Sequence, residues 1–472
     1  MKKVLILISL ITILMTEAAF AASVKVGVID TGITQKENIF DEGRITEGKN
    51  YVSESGDTED KVGHGTRVAS LIIGTLDGEI VSPSKESQIV PLVYYSKYPS
   101  GVVMNGGIEA ICSAIYDAID VYGCKVINIS SGVPRRDDEL KKAVDYAEEK
   151  GVLIVSACGN DGKSVCYPAA YDTVIGVGSH NDKAEPSDFS CSGQGIDLLF
   201  TGENIKTVSI KNSEDYELAE GTSYSAALIT SHAAAAFEKY PELLPHQIRY
   251  FMRISCDDIC EDGYDEESGY GVFDPDAFYE NLSLFDKGEI SCFSDVQKGA
   301  WYYDSVCYAE QNRLFSGASH TEFEPDGFMT RAMLVTVLHR AEGEPETAQS
   351  ACFADVEKGS YYEEAAAWAQ QNGIIYGVSA TEFAPDANIT REQIAAIIYR
   401  YAKLKNEVPE DTWETALDYG DLDDIPDYAL EAVEYCKYKN IIQGRDNNQF
   451  QPKAVATRAE AAAILQRFLE SQ

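Results

Sequence analysis

Short apolar runs rich in β-branched residues recur through residues 24–283. Examples are VKVGVI, IVPLVYY, KVINIS, GVLIVSA and TVIGVGS. Between them lie stretches with helical periodicity, such as GTRVASLII and DELKKAVDYAEEK. Continuous apolar strands that alternate with amphipathic helices predict a parallel sheet covered on both faces. The pattern therefore predicts an α/β domain with a doubly wound parallel sheet, in which ligands lie at the carboxyl ends of the strands.

From about residue 291 the pattern changes, and the chain repeats itself. The segment CFSDVQKGAWYYDSVCYAEQNRLFSG leads into TEFEPDGFMTRAMLVTVLHR, and a close second copy follows. A looser third copy reads YGDLDDIPDYALEAVEYCKYKNIIQG and then NQFQPKAVATRAEAAAILQR. Each copy predicts a helix, a loop and a second helix capped by Thr330, Thr390 or Thr457. The second part of the chain is therefore predicted to be a helical repeat domain.

The N-terminal 21 residues have the features of a secretory signal peptide. Lys2 and Lys3 precede the apolar run VLILISLITILM, and Ala19 to Ala21 provide small residues for cleavage. The run is short for a membrane span, so we expect cleavage after Ala21 and no membrane attachment afterwards. The net charge of −38 argues against binding to nucleic acid or to an anionic membrane surface.

The cysteine count bears on disulfide bonding in an exported protein. Eleven cysteines are present, so at least one thiol is free or pairs between chains. Proximity in the sequence gives three candidate disulfides: Cys158 with Cys166, Cys112 with Cys124, and Cys256 with Cys260. The alternative is that several cysteines are buried as small apolar side chains. No histidine lies near CDDIC, which argues against a zinc site there.

Four chemically distinct side chains fall at predicted strand ends or helix starts. Asp30 ends the strand VGVID, and His64 begins a helix in VGHGT. Asn160 follows the strand in LIVSACGN, and Ser223 opens the helix in GTSYSAA. These are the places where an α/β sheet positions its ligands, so we expect the carboxylate, the imidazole, the amide and the hydroxyl to converge.

These four groups are the set that peptide hydrolysis by a serine nucleophile requires. A serine hydroxyl is a weak nucleophile until a base such as His64 takes its proton. A buried carboxylate, here Asp30, fixes the imidazole tautomer and stabilises the imidazolium. The Ser223 backbone N–H and the Asn160 amide can donate to the oxyanion. The alternative is a turn aspartate, a core histidine and a capping serine without a common role.

The chain order Asp, His, Ser and the blocks DTG, HGT and GTS resemble the subtilisin-like serine peptidases, or subtilases. The resemblance covers the whole first domain and implies a subtilisin-like fold and a protein or peptide substrate. It also implies a substrate cleft. One wall, formed by Ser130, Ser131 and Gly132, would pair with the substrate backbone.

Residues Ala157 to Gly159 would form the opposite wall of that cleft. Ala157 and Gly159 are its candidate substrate-binding residues. In CYPA, Cys166 occupies a position of the pocket floor that is often glycine in this family. A cysteine there would narrow the pocket for the residue before the scissile bond. The resemblance therefore predicts a preference for small or slender side chains.

The sequence departs from the subtilase pattern at three places. Ala227 stands where the family usually has proline, and this substitution is expected to be harmless in a first helical turn. Too few residues separate Ala21 from Asp30 for a folding pro-domain. The usual calcium loop is not recognisable, so we expect no cofactor and no metal, although calcium binding is left open. The acidic segment ESGDTED (54–60) could bind a cation, but it is expected to be a solvated loop.

The FxDV, F-x-P, TRAE and TREQ motifs of the repeats resemble S-layer homology (SLH) domains. In that family, three repeats bind secondary cell-wall polysaccharide. Arg331, Arg391 and Arg458 occupy equivalent positions, and an arginine fork matches a carboxylate, so these three are the candidate wall-binding residues. The alternative is that each arginine pairs with helix-end carbonyls or acidic neighbours. The repeat aromatics are expected in the core: Trp301, Tyr302, Tyr361 and Trp368.

The predicted organisation is a signal peptide (1–21), a subtilisin-like peptidase domain (22–283), a linker (284–290) and three SLH repeats (291–346, 347–405 and 406–472). The predicted function is that of a secreted serine endopeptidase anchored to the cell wall. One alternative is a catalytically inactive subtilase-fold protein that acts as a wall-binding surface protein. Another is a processing peptidase with a single dedicated substrate.

Overall fold

The computed structural model describes residues 23–34, 39–53, 56–97, 100–209, 216–319, 321–345, 347, 353–409 and 415–471. The predicted signal peptide and Cys352 lie outside the described residues. The chain divides into two compact units, Met1–Tyr279 and Glu280–Gln472.

In the part of the first unit that the structure describes, the core is a nine-stranded sheet with two small hairpins. The strands are β1 (Lys25–Asp30), β2 (Lys49–Asn50), β3 (Gln88–Val93), β4 (Tyr95–Lys97), β5 (Val103–Asn105), β6 (Val126–Ile129), β7 (Leu153–Ala157), β8 (Val174–His180), β9 (Leu198–Thr201), β10 (Ile205–Val208), β11 (Tyr216–Ala219), β12 (Cys256–Asp257) and β13 (Val272–Phe273). The sheet order is β12-β13-β9-β8-β7-β6-β1-β3-β2, and only the β12–β13 pair is antiparallel. The predicted parallel sheet is confirmed.

Within the described residues, six helices accompany these strands. They are α1 (His64–Ile73), α2 (Gly107–Asp120), α3 (Asp138–Glu149), α4 (Thr222–Lys239), α5 (Pro245–Ile254) and α6 (Pro275–Asp286). Helix α6 contains the boundary between the two units and continues into the predicted linker 284–290. It continues because its apolar side chains remain packed: Leu282 is 1% exposed and Phe285 is 8% exposed.

Helices cover both faces of the sheet, as the continuous apolar strands require. Ile127 and Ile129 on β6 pack in one apolar cluster with residues of α2 and α3. Asn128 lies between them and therefore points to the other face, where its Oδ1 accepts a hydrogen bond of 2.9 Å from Thr230 of α4. Because β1, β6 and β7 are neighbours, their carboxyl ends form one continuous edge.

The second unit is helical. Its helices are α7 (Tyr303–Gln311), α8 (Arg331–Ala341), α9 (Glu363–Gln371), α10 (Arg391–Leu404), α11 (Asp427–Tyr438) and α12 (Arg458–Glu470), with short 3₁₀ turns at Leu422–Asp424 and Asp446–Asn448. The second helix of each repeat packs on the first helix of the next: α8 on α9, α10 on α11, and α12 back on α7. The helical repeat domain is confirmed, and its three copies close into a ring.

Backbone hydrogen bonds at the centre of this ring join the three copies. Met329 N donates to the Ala456 carbonyl (3.0 Å), Ala456 N to Ile389 (3.1 Å), and Ile389 N to Met329 (2.9 Å). Each of these residues stands one position before the threonine that precedes a second helix. The equivalence that the sequence shows is therefore a three-fold equivalence in space.

Two expectations about side chains differ from the structure. The ten described cysteines are free thiols, so none of the three candidate pairs forms a disulfide. Cys112 and Cys124 instead pack as small apolar side chains in one core cluster. Trp368 is buried, as expected, but Trp301 and Tyr361 are each 65% exposed. The prediction was wrong for these two, because Tyr303 and Tyr362, which are 9% and 8% exposed, take the buried positions. Tyr302 is half-buried.

Candidate active site

The site begins with two residues at element ends. Asp30 is the last residue of β1 and is 3% exposed. His64 is the first residue of α1. The Nδ1 atom of His64 lies 2.8 Å from Oδ1 and 3.0 Å from Oδ2 of Asp30. A carboxylate is an acceptor, so it places the proton on Nδ1 and leaves Nε2 free to act as a base.

The surroundings of the His64 imidazole raise its pKa above the ordinary value of 6.5. Burial acts in the opposite direction, because it disfavours the charged form. The negative charge of Asp30, its hydrogen bond and the charge of Asp60 outweigh burial, while Arg67 opposes them. The neighbouring charges thus stabilise the imidazolium form of His64.

Ser223 is the second residue of α4 and is 7% exposed. Its hydroxyl donates to the Ser130 carbonyl (3.2 Å), and the Ser130 hydroxyl donates to the Ser223 carbonyl (3.2 Å). Within the described residues, no hydrogen bond joins Ser223 to His64. The ring of the adjacent Tyr224 lies 5.8 Å from the His64 ring. The α4 start and the imidazole are therefore neighbours, with the Ser223 hydroxyl turned toward β6.

The Asn160 amide is held in one orientation beside Ser223. Its Oδ1 accepts from Thr222 N (2.8 Å) and from Thr222 Oγ1 (2.9 Å). With the oxygen occupied, Nδ2 remains as the donor, and a Cβ on Gly221 would lie only 3.2 Å from it. Gly221 also has φ of 140°, a conformation that favours glycine. The amide donor therefore faces the turn that leads into Ser223.

Two glycines of the predicted cleft, Gly132 and Gly159, lie against Cys166. Ser130, Ser131 and Gly132 follow β6, and Ala157 ends β7. A Cβ on Gly132 would lie 2.5 Å from Cys166 Cβ, and a Cβ on Gly159 would lie 3.3 Å from Cys166 Sγ. Cys166 therefore stands between the two predicted walls. Burial raises the pKa of its thiol, so Cys166 occupies the space between the walls as a neutral thiol.

A comparison with protein families assigns the first unit to a known family. A model of the Subtilase family matches residues 21–271, which is more than half of the chain. The chain belongs to the subtilase family. Its first unit is accordingly a serine peptidase domain of the subtilisin type.

Individual relatives agree with this assignment. Subtilisin DY of Bacillus licheniformis is 33% identical over 237 residues, which covers 48% of this chain and 81% of that protein. The major intracellular serine protease of Bacillus subtilis (strain 168) is 35% identical over 231 residues, which covers 47% of this chain and 70% of that protein. The minor extracellular protease Epr of the same strain is 32% identical over 257 residues, 53% of this chain but 37% of Epr.

A solved structure is similar as well. Fervidolysin from Fervidobacterium pennivorans, a keratinolytic enzyme related to subtilisin, is 27% identical, with a TM-score of 0.49, over 55% of this chain and 43% of that chain.

In the second unit, the S-layer homology domain matches residues 293–332, 353–395 and 418–462. These domains indicate association with the cell surface and imply cell-wall polysaccharide as a partner. In the described ranges, no helix is both long and apolar enough to cross a membrane.

Asp60 is a residue of the subtilase domain that the sequence interpretation misjudged. The segment 54–60 was expected to be a solvated acidic loop, but Asp60 is 6% exposed. Glu59 is engaged too, because its carboxylate accepts from the Thr34 hydroxyl (2.6 Å). The only sequence signal was the proximity of Asp60 to His64. Across the described part of the chain, no group of three or more acidic, cysteine or histidine residues could hold a metal ion.

The three candidate wall-binding arginines are buried and bonded within the ring. The Nε atoms of Arg331, Arg391 and Arg458 donate to the carbonyls of Phe383, Phe450 and Phe323 at 2.7–2.8 Å. Their Nη2 atoms donate to the carbonyls of Tyr376, Gln443 and Ser316. Each arginine thus reaches from one copy into the next. This is the alternative arrangement, in which each guanidinium donates to carbonyls. Arg331 and Arg458 also line surface grooves, so a role of these arginines in wall binding stays a prediction.

Proposed function

We propose that the chain is a secreted serine endopeptidase held at the cell wall by its SLH repeats, with Asp30, His64 and Ser223 as its catalytic triad. The hydrogen-bonded Asp30–His64 pair beside the start of α4 is the observation that carries this proposal. In the proposed reaction, Nε2 of His64 takes the proton of the Ser223 hydroxyl as Oγ attacks the scissile carbonyl. Asp30 stabilises the imidazolium that forms.

The proposed reaction also requires rotation of the Ser223 side chain, stabilisation of the oxyanion and return of the proton. The Ser223 side chain rotates about its Cα–Cβ bond from the Ser130 carbonyl to His64; such contacts often tighten only when substrate binds. The developing oxyanion accepts hydrogen bonds from Nδ2 of Asn160 and from the Ser223 N–H, since an N–H in a first helical turn has no intrahelical acceptor. His64 then returns its proton to the leaving amine, and water completes hydrolysis.

A fluorophosphonate probe tests the triad directly, because it reacts only with an activated serine. We expect the full chain to be labelled at Ser223 and Ser223→Ala to be unlabelled. Ser225→Ala is the matched control: Ser225 lies in the same helix, and its hydroxyl donates to the Phe200 and Thr201 carbonyls. A folded wild-type chain that is not labelled would favour the inactive, wall-binding alternative.

Export is proposed from the sequence of residues 1–21. It predicts that the protein recovered from outside the cell begins at Ala22, as mass spectrometry of the N-terminal peptide would show. A chain found only inside the cell, with Met1 or Lys2 at its start, would contradict it.

Polysaccharide binding is supported by two grooves in the second unit. A groove of about 540 Å³ is lined in part by Phe328, Arg340 and Tyr361, and another of about 400 Å³ in part by Tyr376, Arg400 and Tyr428. Guanidinium groups beside exposed aromatic faces suit a sugar that carries a carboxylate. Because the whole chain is strongly acidic, binding to an anionic wall must rest on such short-range contacts.

Sedimentation with purified cell walls tests this second part of the proposal. The full chain with Ser223→Ala should pellet with intact walls and stay in solution after the polysaccharide has been removed. Arg340→Ala and Arg400→Ala together should weaken binding. Arg467→Ala is the matched control, because Arg467 lines neither groove although its Nη1 makes the equivalent bond of 3.4 Å to the Ile441 carbonyl. Equal sedimentation with stripped walls would contradict a polysaccharide partner.

A further inference from the structure

A buried carboxylate lies in the loop before α1, in a part of the subtilase domain that the proposed reaction does not use. Asp60 precedes His64 by four positions in the sequence. Its carboxylate accepts five hydrogen bonds: at Oδ1 from Thr31 Oγ1 (2.9 Å), Val62 N (2.9 Å) and Gly63 N (2.6 Å), and at Oδ2 from Thr66 N (3.0 Å) and Thr66 Oγ1 (2.7 Å). Buried charge is costly unless it is bonded in this way, so the position of the carboxylate is fixed.

The five donors belong to the two segments that carry the base and its partner. Thr31 directly follows Asp30, while Gly63 and Thr66 flank His64. The Thr31 hydroxyl also accepts from Gly65 N (2.9 Å), which adds a second link between the same segments. The Asp60 carboxylate is thus the junction between the turn after β1 and the first turn of α1.

We propose that Asp60 is a positioning residue of the hydrolytic reaction: it locks the turn after Asp30 to the helix start that carries His64, and its charge supports the protonated imidazole. This inference rests on the triad proposed above. The charged and titratable groups that face the imidazole are Asp30 on β1, Asp60 in the loop, Arg67 on α1 and Tyr224 on α4. Asp60 adds negative charge to that set, and Arg67 offsets part of it.

Asp60→Asn in the full chain removes the charge and replaces an acceptor oxygen with a donor. We expect kcat to fall by about 10²-fold, because small misplacements of catalytic groups have effects of this size. The acid limb of the kcat/KM profile should also move to lower pH, since the imidazole loses a negative neighbour. Asp57→Asn is the matched control: it removes the same charge from the same loop, where Asp57 is exposed and pairs with Lys61. It should change neither quantity.

Two further variants keep the test decisive if Asp60→Asn does not fold. Thr31→Val removes a donor to Asp60 without changing any charge, so kcat should fall while the acid limb stays in place. Thr31→Ser restores the hydroxyl and should restore kcat. The inference would be overturned if folded Asp60→Asn kept the wild-type kcat and an unmoved acid limb. It would also be overturned if Thr31→Val kept the wild-type kcat.

A measurement without hydrolysis separates this inference from the proposed activity. In the Ser223→Ala background, NMR titration of His64 should show a lower pKa with Asp60→Asn than without it. An unchanged titration of His64 would overturn the electrostatic part of the inference even in an active enzyme. A wild-type chain that fails to react with fluorophosphonate would instead overturn the proposed activity.

Discussion

Nδ1 of His64 lies 2.8 Å from Oδ1 of Asp30, so the first residue of α1 is bonded to the last residue of β1. Both residues are held by their elements: the strand end is buried, and the helix start is tied down through Asp60. The tautomer of the imidazole is consequently set by backbone elements and does not depend on substrate.

Replacing Asp30 with asparagine should abolish most activity while leaving the fold intact. An amide at this position favours the wrong tautomer, and such a change in a serine triad lowers kcat by about 10⁴-fold. Steady-state kinetics with a peptide substrate would measure the loss. The control is Asp137→Asn, which removes a carboxylate that caps α3 by accepting from Glu139 N and Leu140 N. A loss of less than tenfold in Asp30→Asn would contradict the role given to Asp30.

The pH dependence of kcat/KM follows from the raised pKa of His64. Hydrolysis requires the neutral imidazole, and a raised pKa keeps the imidazole protonated to a higher pH. Activity should therefore be lost as pH falls, with a midpoint above the ordinary histidine value of 6.5. The rate of fluorophosphonate labelling should show the same midpoint, since it needs the same base. A midpoint at or below 6.5 would contradict the electrostatic account.

The convergence of the site could be predicted from sequence because the fold supplies the geometry. Asp30 ends β1 and Asn160 follows β7, and the carboxyl ends of parallel strands share one edge. The orientation of Ser223 could not be predicted, because it depends on the Ser130 carbonyl, which lies far away in the sequence. The burial of Asp60 likewise depends on Thr31, so local acidity was a misleading guide.

Asn160→Ala should reduce kcat by about 10²–10³-fold with little change in KM, as expected for a donor that acts mainly in the transition state. Thr222→Val is the matched control, because it removes one hydrogen bond to Asn160 Oδ1 and keeps the amide donor. Its effect should be below tenfold. Equal losses in both variants would show that Asn160 acts by holding Thr222, which would contradict an oxyanion role.

Cys166→Gly should widen the pocket for the residue before the scissile bond. Cys166 stands between Gly132 and Gly159, and one methylene in such a pocket changes discrimination by about 10–200-fold. We expect kcat/KM for phenylalanine relative to alanine at that substrate position to rise at least tenfold. Cys260→Ser is the control, since Cys260 is exposed. An unchanged preference would place the pocket elsewhere.

The repeated arginines have a structural role at three equivalent positions of the ring. Arg331, Arg391 and Arg458 recur because the ring needs the same cross-link at three junctions. Ring closure joins α12 to α7, and no local pattern in the sequence reveals that contact. The exposure of Tyr361 and Tyr376, which line the grooves, could not be predicted for the same reason, because it depends on how the repeats pack.

Arg391→Met should destabilise the second unit. Arg391 is 3% exposed, and its guanidinium donates to the Phe450 carbonyl (2.8 Å) and the Gln443 carbonyl (2.7 Å). Buried carbonyls that lose such donors are left unpaired, which should lower the free energy of unfolding by about 1–3 kcal/mol. All three tryptophans of the chain lie beyond residue 300, so tryptophan fluorescence during urea unfolding reports on the second unit.

The control for this variant is Lys403→Met, which removes a positive charge from the same helix. Lys403 is 50% exposed and pairs with Glu431 at 3.7 Å, and exposed pairs of this kind contribute about 0–1 kcal/mol. Its urea midpoint should therefore stay close to that of the unchanged chain. If Arg391→Met unfolds at the same urea concentration as Lys403→Met, the arginine is not a structural cross-link.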